Sequence, residues 1–394
     1  MTTQLELLVL GGSPREMAEL QGRHFREQVP EMLAALADLP LLPRALGHRG
    51  RLFATRIAAR ALGAFYLRAH APLLRTHRDG RYRDYFDALA SGLGESLTTV
   101  YGVNAFEIES ALPSVRMGCT ALAFSPSLMR HGRPLLAYNH DFPPAFEPYL
   151  FVRRNRPRGA FESLSVGYPT IAGAILGVNA EGLGVSINQA FATDASRREP
   201  ALLTTLLVQD LLDECASVAD ARAACSGRRL ATGAILTLVD ARGERAVVEL
   251  SARRSAVRTA PDDQVLHAFN QYLEPSMLPR EVPVGAITVG IGGGYDVHRC
   301  NLTREARLGE LTPRRSVYQL DDVCGLVSDH DGGGGTLDTI CVHGDEMNAT
   351  ILSALVDPVE RSLQVARGHA CTARYERHAL ENSQPRAEAE LVRS

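Results

Sequence analysis

Gly118-Cys119-Thr120 and Asn139-His140-Asp141-Phe142 are the stretches whose residue types and spacing can do chemistry. A thiol behind a glycine, heading the apolar run Ala121-Leu122-Ala123-Phe124, is a candidate nucleophile. If the peptide bond before Cys119 were cut, this residue would carry nucleophile and base together, as its thiol and its own α-amine. An α-amine titrates at about 7.7–8.0, close enough to neutrality to take the thiol proton directly or through water. The glycine permits the strained backbone that an intramolecular attack requires. The plainer reading is that Cys119 is a buried small hydrophobe, and that Asp141 is a turn or cap residue. His140 is read as structural, because strand alternation turns it away from Asn139 and Asp141. His330, between Asp329 and Asp331, suggests a metal ligand, but no partner stands at a recognisable spacing, so a polar glycine loop is expected.

The elements that must position these residues change texture at Cys119. Residues 14–115 read mainly as helices, starting at Ser13-Pro14-Arg15-Glu16 with serine as cap and proline at the first position. Pro40 and Pro43 interrupt the pattern. Residues 119–125 and 134–139 read as strands around the turn Arg130-His131-Gly132-Arg133, a hairpin that returns Asn139 and Asp141 towards Cys119. Further strands are expected at 172–178, 184–188, 234–239, 246–250, 336–343, 350–356 and 361–367, with helices at 202–225 and 299–311. The tail after about residue 380 is polar and expected to be disordered. Grouped rather than alternating elements favour a layered α+β architecture.

Composition narrows the chemistry. All 42 basic residues are arginine, with no lysine. Schiff-base catalysis, pyridoxal attachment, a Ser–Lys dyad and a Walker-type loop all need lysine and are excluded. The runs Gly292-Gly293-Gly294 and Gly332 to Gly335 are therefore turns or loops. Seven cysteines without a CxxC pair argue against a disulfide framework and a structural zinc site. A net charge of −3 gives no field for nucleic acid, and no apolar run is long enough for a membrane helix. The N-terminus shows no secretory signal, so a cytoplasmic setting is expected.

The motif residues, with Gly132, resemble the acyl-coenzyme A:6-aminopenicillanic acid acyltransferase family, self-cleaving N-terminal-nucleophile enzymes related to choloylglycine hydrolases. The resemblance extends from Gly12-Ser13-Pro14 and Gly22 through the hairpin Asn179–Asn188 and the segment Leu266–Leu273. It continues over Asp329-His330, Ile340-Cys341-Val342-His343, Thr350, Asp357-Pro358 and Gly368, covering about residues 10–380. It implies a four-layer αββα sandwich with a helix-rich segment 1–118, a core 119–380 and a tail 381–394. Cleavage between Gly118 and Cys119 would give two chains that stay associated, since helices so rich in leucine would be poorly soluble alone.

The implied catalytic residues are Cys119, Asp141, Asn188, Asn270 and Arg299. Asp141 would orient the freed amine, Asn188 and Asn270 would donate to the oxyanion, and Arg299 would lower the thiol pKa and anchor the carboxylate. The family's serine before its arginine is absent here, which leaves Arg304 as the alternative. No cofactor or metal is implied. The expected activity is an acyl-thioester on Cys119 formed from a small amide or acyl-thioester substrate, discharged to water or to an amine acceptor. The competing readings are a non-cleaving, degenerate member serving as a binding or scaffold protein, and a papain-like protease pairing Cys119 with a distant histidine.

Overall fold

Leu10, Met17, Phe25 and Leu89 begin a core that runs continuously from the N-terminal helices into the space between two β-sheets. The structure is a computed structural model that describes residues 4–39, 44–110, 118–286, 296, 298–312 and 317–380. Pro40, Pro43, the Gly292-Gly293-Gly294 run and the tail from residue 381 lie outside the described residues.

Among the described residues, the first 110 positions supply β1 (Glu6–Gly12) and five α-helices: α1 (Pro14–Phe25), α2 (Val29–Asp38), α3 (Gly47–Thr76), α4 (Arg81–Leu93) and α5 (Leu97–Ser110). The start of α1 is a capping box: Ser13 Oγ accepts from the Glu16 amide, and the Glu16 carboxylate accepts from Ser13 N–H at 2.7 Å. Glycines set the helix pairing. An added Cβ on Gly63 of α3 would sit 1.7 Å from the Thr98 carbonyl, and one on Gly102 of α5 would sit 1.9 Å from that of Ala59. The two backbones therefore touch.

The strands are β2 (Gly118–Phe124), β3 (Leu135–Phe142), β4 (Phe151–Pro157), β5 (Ser163–Gly167), β6 (Leu176–Asn179), β7 (Leu183–Ala190), β8 (Gly233–Asp240), β9 (Arg245–Leu250), β10 (Ser255–Arg258), β11 (Leu266–Ala268), β12 (Ala349–Asp357), β13 (Ser362–Arg367) and β14 (Glu376–Ala379). Among the described residues they form an eight-stranded sheet, β1-β4-β5-β6-β7-β8-β9-β10, and a six-stranded sheet, β11-β2-β3-β12-β13-β14. Pairing is antiparallel except between β1 and β4. The sheets stack face to face through β2, β3 and β11 against β7, β8 and β9. Helices α6 (Thr204–Glu214) and α7 (Val218–Cys225) cover the larger sheet, while α8 (Arg299–Leu311) and α9 (Leu320–Val327) cover the smaller one. This is a four-layer αββα arrangement with a helical N-terminal region.

Burial on both faces explains the apolar texture of the central strands, and alternation then decides which chemistry faces where. Cys119, Ala121, Ala123, Leu136 and Tyr138 join the core between the sheets. Leu122, Phe124, Leu135 and Ala137 join the separate core beneath α8 and α9. Two expectations change here. The helix expected at 202–225 breaks at Cys215-Ala216-Ser217, where Ser217 caps α7 by accepting from the Asp220 amide. The strand expected at 336–343 is instead a series of turns, tied by His343 N–H to Thr336 O and Cys341 N–H to Asp329 O.

Candidate active site

The register of β2 on β3 builds the site: Gly118 lies opposite Asp141, Cys119 opposite His140, and Thr120 opposite Asn139. Cross-strand partners share a face. The thiol and imidazole therefore point together into the gap between the sheets, whereas Asp141 and Asn139 point to the α8 side. Cys119 Sγ lies 3.8 Å from His140 Nδ1 and 3.3 Å from the Tyr138 hydroxyl. The single Tyr138 proton goes to the carbonyl of Ile187 at 2.6 Å, so the thiol meets the lone pairs of that oxygen. His140 is thus not the bystander expected from the sequence. Alternation does turn it from Asn139 and Asp141, but the hairpin register turns it towards the thiol.

The peptide groups of Cys119 are held by side chains. Its N–H donates to Asn270 Oδ1 at 2.7 Å. Its carbonyl accepts from Asn188 Nδ2 at 3.0 Å and from Arg304 Nη1 at 3.3 Å. Asn270 Nδ2 donates to the Gln189 carbonyl at 2.8 Å, which fixes the amide orientation. Asn270 thus presents its oxygen to Cys119, where the sequence reading expects an N–H. Asp141 Oδ2 pairs with Arg304 Nη1 at 3.3 Å, and Asp141 Oδ1 accepts the Thr350 hydroxyl at 2.6 Å. A Cβ on Gly118 would stand 2.7 Å from Asp141 Oδ2, so glycine serves here by the room it leaves for the carboxylate.

The structure does not bring Arg299 to this cluster. Its side chain is 65% exposed and pairs with Asp338 at 2.9 Å. Arg304 is fully buried and also donates to Thr120 Oγ1, Asn270 Oδ1 and Asn301 Oδ1. Five positions along a helix rotate a side chain well off the original face. Cys300, Arg304 and Leu308, spaced by four, form the buried stripe of α8, a signal that distinguishes the two arginines in the sequence. Tyr138 and Asn301 are the other site residues that sequence reasoning missed, and Thr120 and Thr350, named there within motifs, had no role assigned. Only the strand register and helix face identify them.

Burial pushes the Cys119 thiol up to about 12, and the Asp141 charge adds to it. Burial lowers His140 to about 4, so its ring is neutral. Burial raises Asp141 to about 6 although Arg304 and Thr350 pull it down. The thiol opens onto a cavity of about 150 Å³ whose walls come from both halves of the chain. Met32 and Leu36 of α2 and Val103 and Phe106 of α5 face Phe142 and Ile187 across it. Glu107 lies at one end, accepting from the Thr204 amide at 2.5 Å and raised by burial to about 7. An apolar chamber ending in a thiol can accept an apolar acyl group and attack its carbonyl carbon.

Elsewhere, His330, Cys341, His343 and Cys371 place one ligand atom each within 4.8 Å of one another. This overturns the expectation that His330 lacks partners, because the partners come from a loop and a turn far apart in sequence.

No curated protein matches this chain in sequence. Among solved structures, it is similar to an N-acylethanolamine-hydrolyzing acid amidase ortholog from Caenorhabditis elegans, at 14% identity and TM-score 0.44, over 61% of this chain and 93% of that one. It is also similar to a variant of the conjugated bile acid hydrolase of Clostridium perfringens, at 13% identity and TM-score 0.40, over 69% and 100%. Penicillin V acylase from Agrobacterium tumefaciens gives 14% identity and TM-score 0.39, over 66% and 86%. The family model of acyl-coenzyme A:6-aminopenicillanic acid acyl-transferase matches residues 128–370, more than half of the chain, a span that holds Asp141, Asn188, Asn270 and Arg304. The chain therefore belongs to the acyl-coenzyme A:6-aminopenicillanic acid acyl-transferase family.

Proposed function

We propose that this chain cuts itself between Gly118 and Cys119 and then works as an N-terminal-cysteine amidohydrolase or acyltransferase for substrates with an apolar acyl group. The observation that carries this is the division of Cys119 between two environments. Its thiol faces an apolar chamber, and its backbone N–H and carbonyl are bonded by the side chains of Asn270, Asn188 and Arg304.

In the first step, Sγ attacks the Gly118 carbonyl carbon, the C–N bond breaks, and the departing nitrogen takes the thiol proton. Water then hydrolyses the thioester, leaving a carboxylate on Gly118 and a free amine and thiol on Cys119. In the uncut chain the neutral His140 ring is the acceptor within reach of the thiol. After cleavage the α-amine takes over, since a thiol pushed up to about 12 needs an adjacent base. Asn270 Oδ1, already bonded to this nitrogen, and the Asp141 carboxylate would hold the amine. The thiolate attacks the substrate carbonyl, the leaving amine takes the proton, and the acyl-thioester passes to water or to a second amine. Residues 1–118 would remain as a partner chain of 119–380, because α2 and α5 supply six of the nineteen residues that line the acyl chamber. A reduced, cytoplasmic setting suits a chemistry that rests on a free thiol.

A degenerate scaffold is disfavoured by the pairing of the buried Arg304 with Asp141. A Cys119–His140 dyad acting in the uncut chain is favoured by the 3.8 Å approach. It is disfavoured by the titration, because dyads of this kind rest on a thiolate beside an imidazolium and burial here favours both neutral forms. Acyl trapping tests the proposal. Amides and acyl-thioesters of graded chain length should leave a mass adduct on Cys119, increasing with apolar length and absent in Cys119→Ala. No adduct with any member of the series on a cleaved chain would refute it.

A further inference from the structure

The Gly332–Gly335 run closes a loop around a second cluster that the proposed chemistry does not use. His343 Nε2 stands 3.6 Å from Cys341 Sγ and 3.3 Å from Cys371 Sγ. His330 packs edge-on against the His343 ring at 4.5 Å, and its Nε2 is buried with no hydrogen-bond partner. A tetrahedral zinc ion, with bonds of about 2.3 Å to sulfur and about 2.0–2.1 Å to nitrogen, separates its sulfur and nitrogen ligands by about 3.6 Å. Both sulfur separations of His343 Nε2 lie close to that value, and the four ligand atoms all lie within 4.8 Å of one another.

We propose that His330, Cys341, His343 and Cys371 form a structural Cys2His2 zinc site. The donor set selects the metal: two thiolates and two imidazoles, with no carboxylate, suit Zn²⁺ rather than magnesium or calcium. The neighbouring acids are engaged elsewhere, Asp329 with both Arg307 Nε and Nη2 at 2.9 Å and Asp331 with Arg307 Nη1 at 3.1 Å. Four protein ligands leave no open position, which makes the site structural. Loop chemistry is built for it. Gly332 and Gly335 adopt φ of +73° and +81°, and a Cβ on Gly335 would lie 2.6 Å from the His343 ring. Thr339 Oγ1 donates to the Cys341 carbonyl at 2.6 Å, fixing that ligand's backbone.

The site clips the loop of residues 330–343 to the turn at Cys371, directly behind Asp141. Val342, between two ligands, donates its N–H to Thr350 Oγ1 at 2.8 Å, and that hydroxyl donates to Asp141. Zinc thus anchors the backbone that orients the Thr350–Asp141 bond.

Metal analysis of the full chain, purified under reducing conditions with zinc supplied, tests this. The expected result is about one zinc per chain. Co²⁺ added to the reduced, metal-stripped protein should give the intense visible bands and thiolate-to-metal charge transfer of a tetrahedral dithiolate site. Cys371→Ser, at an exposed position that leaves the fold intact, and His343→Gln should each lower the bound metal at least tenfold and remove those bands. Stripping should open the 330–344 loop to proteolysis. The inference fails if the reduced protein holds no zinc and gives no cobalt spectrum, if both variants bind metal like the wild type, or if Cys341 and Cys371 are joined as a disulfide and the reduced chain still takes no cobalt.

Discussion

Asp141→Asn separates the two roles of this carboxylate, ion-pair partner of Arg304 and holder of the Cys119 amine. Asparagine keeps the shape and can still accept the Thr350 proton. Breaking a buried ion pair from one side ordinarily costs about 3–5 kcal/mol. Here the expected sign is reversed. Burial raises Asp141 from its ordinary 3.8 to about 6 against the pull of Arg304, so the ionised form is a net burden in the fold. At about 1.4 kcal/mol per pH unit this burden is about 3 kcal/mol. The folded value lies above the unfolded one, so the stabilising contribution is complete below about pH 3.8 and is lost as pH rises through about 6. Asparagine does not titrate and keeps it. Its Nδ2 would face Arg304 Nη1 across the 3.3 Å now spanned by Oδ2, a donor-against-donor contact that offsets about 1–2 kcal/mol. The assay is urea unfolding with both chains in a Cys119→Ala background, so that both are uncut. Near neutrality the Asn chain should be about 1–2 kcal/mol more stable, and the difference should reverse near pH 4, where only the donor contact remains. With Cys119 restored, the Asn chain should fail to cleave. A loss of about 3–5 kcal/mol near neutrality would refute the reasoning, by showing that the Arg304 attraction outweighs burial.

Arg304→Met should abolish cleavage, read as a single uncut mass, whereas Arg299→Ala should cleave normally and change stability by less than about 0.5 kcal/mol. Gly102→Ala drives a methyl into the Ala59 carbonyl; it should cost about 1–3 kcal/mol in denaturant unfolding. By shifting α5 it should also slow acylation by long acyl groups more than by short ones. Burial and the nearby Glu249 raise Glu281 from 4.5 to about 8, so its contribution is complete below about pH 4.5 and is lost as pH rises through about 8. Glu281→Gln, which can still accept from the Tyr272 amide, should flatten the stability profile over that window by a few kcal/mol.

Legibility in the sequence followed locality. The capping box at Ser13 and the helix over residues 299–311 rest on short-range signals, and both stand where the residues suggest. The β2–β3 hairpin was legible from its turn, and it delivers Asp141 opposite Gly118. What sequence alone misjudged depends on pairing and depth. Neighbours along the strand make His140 read as structural, yet its surroundings are set by the partner strand. The sequence reading makes Asn270 a donor, and only the fixed positions of the Cys119 amide and the Gln189 carbonyl reverse its orientation. Residues 336–343 are β-branched and apolar enough to suggest a strand, but their backbone bonds go to Thr336, Asp329 and Thr350. His330 stands out in the sequence, but its partners Cys341, His343 and Cys371 do not, because they are gathered by tertiary folding and not by a short repeat.

The central claim is that Cys119 becomes an N-terminal residue, and the most direct measurement is the denatured mass of the freshly purified chain. The account predicts two fragments whose masses sum to the full chain plus one water, the larger beginning at Cys119 by N-terminal sequencing, with Cys119→Ala remaining whole. A wild-type chain that stays a single intact mass, whether or not its thiol accepts an acyl group, would contradict it.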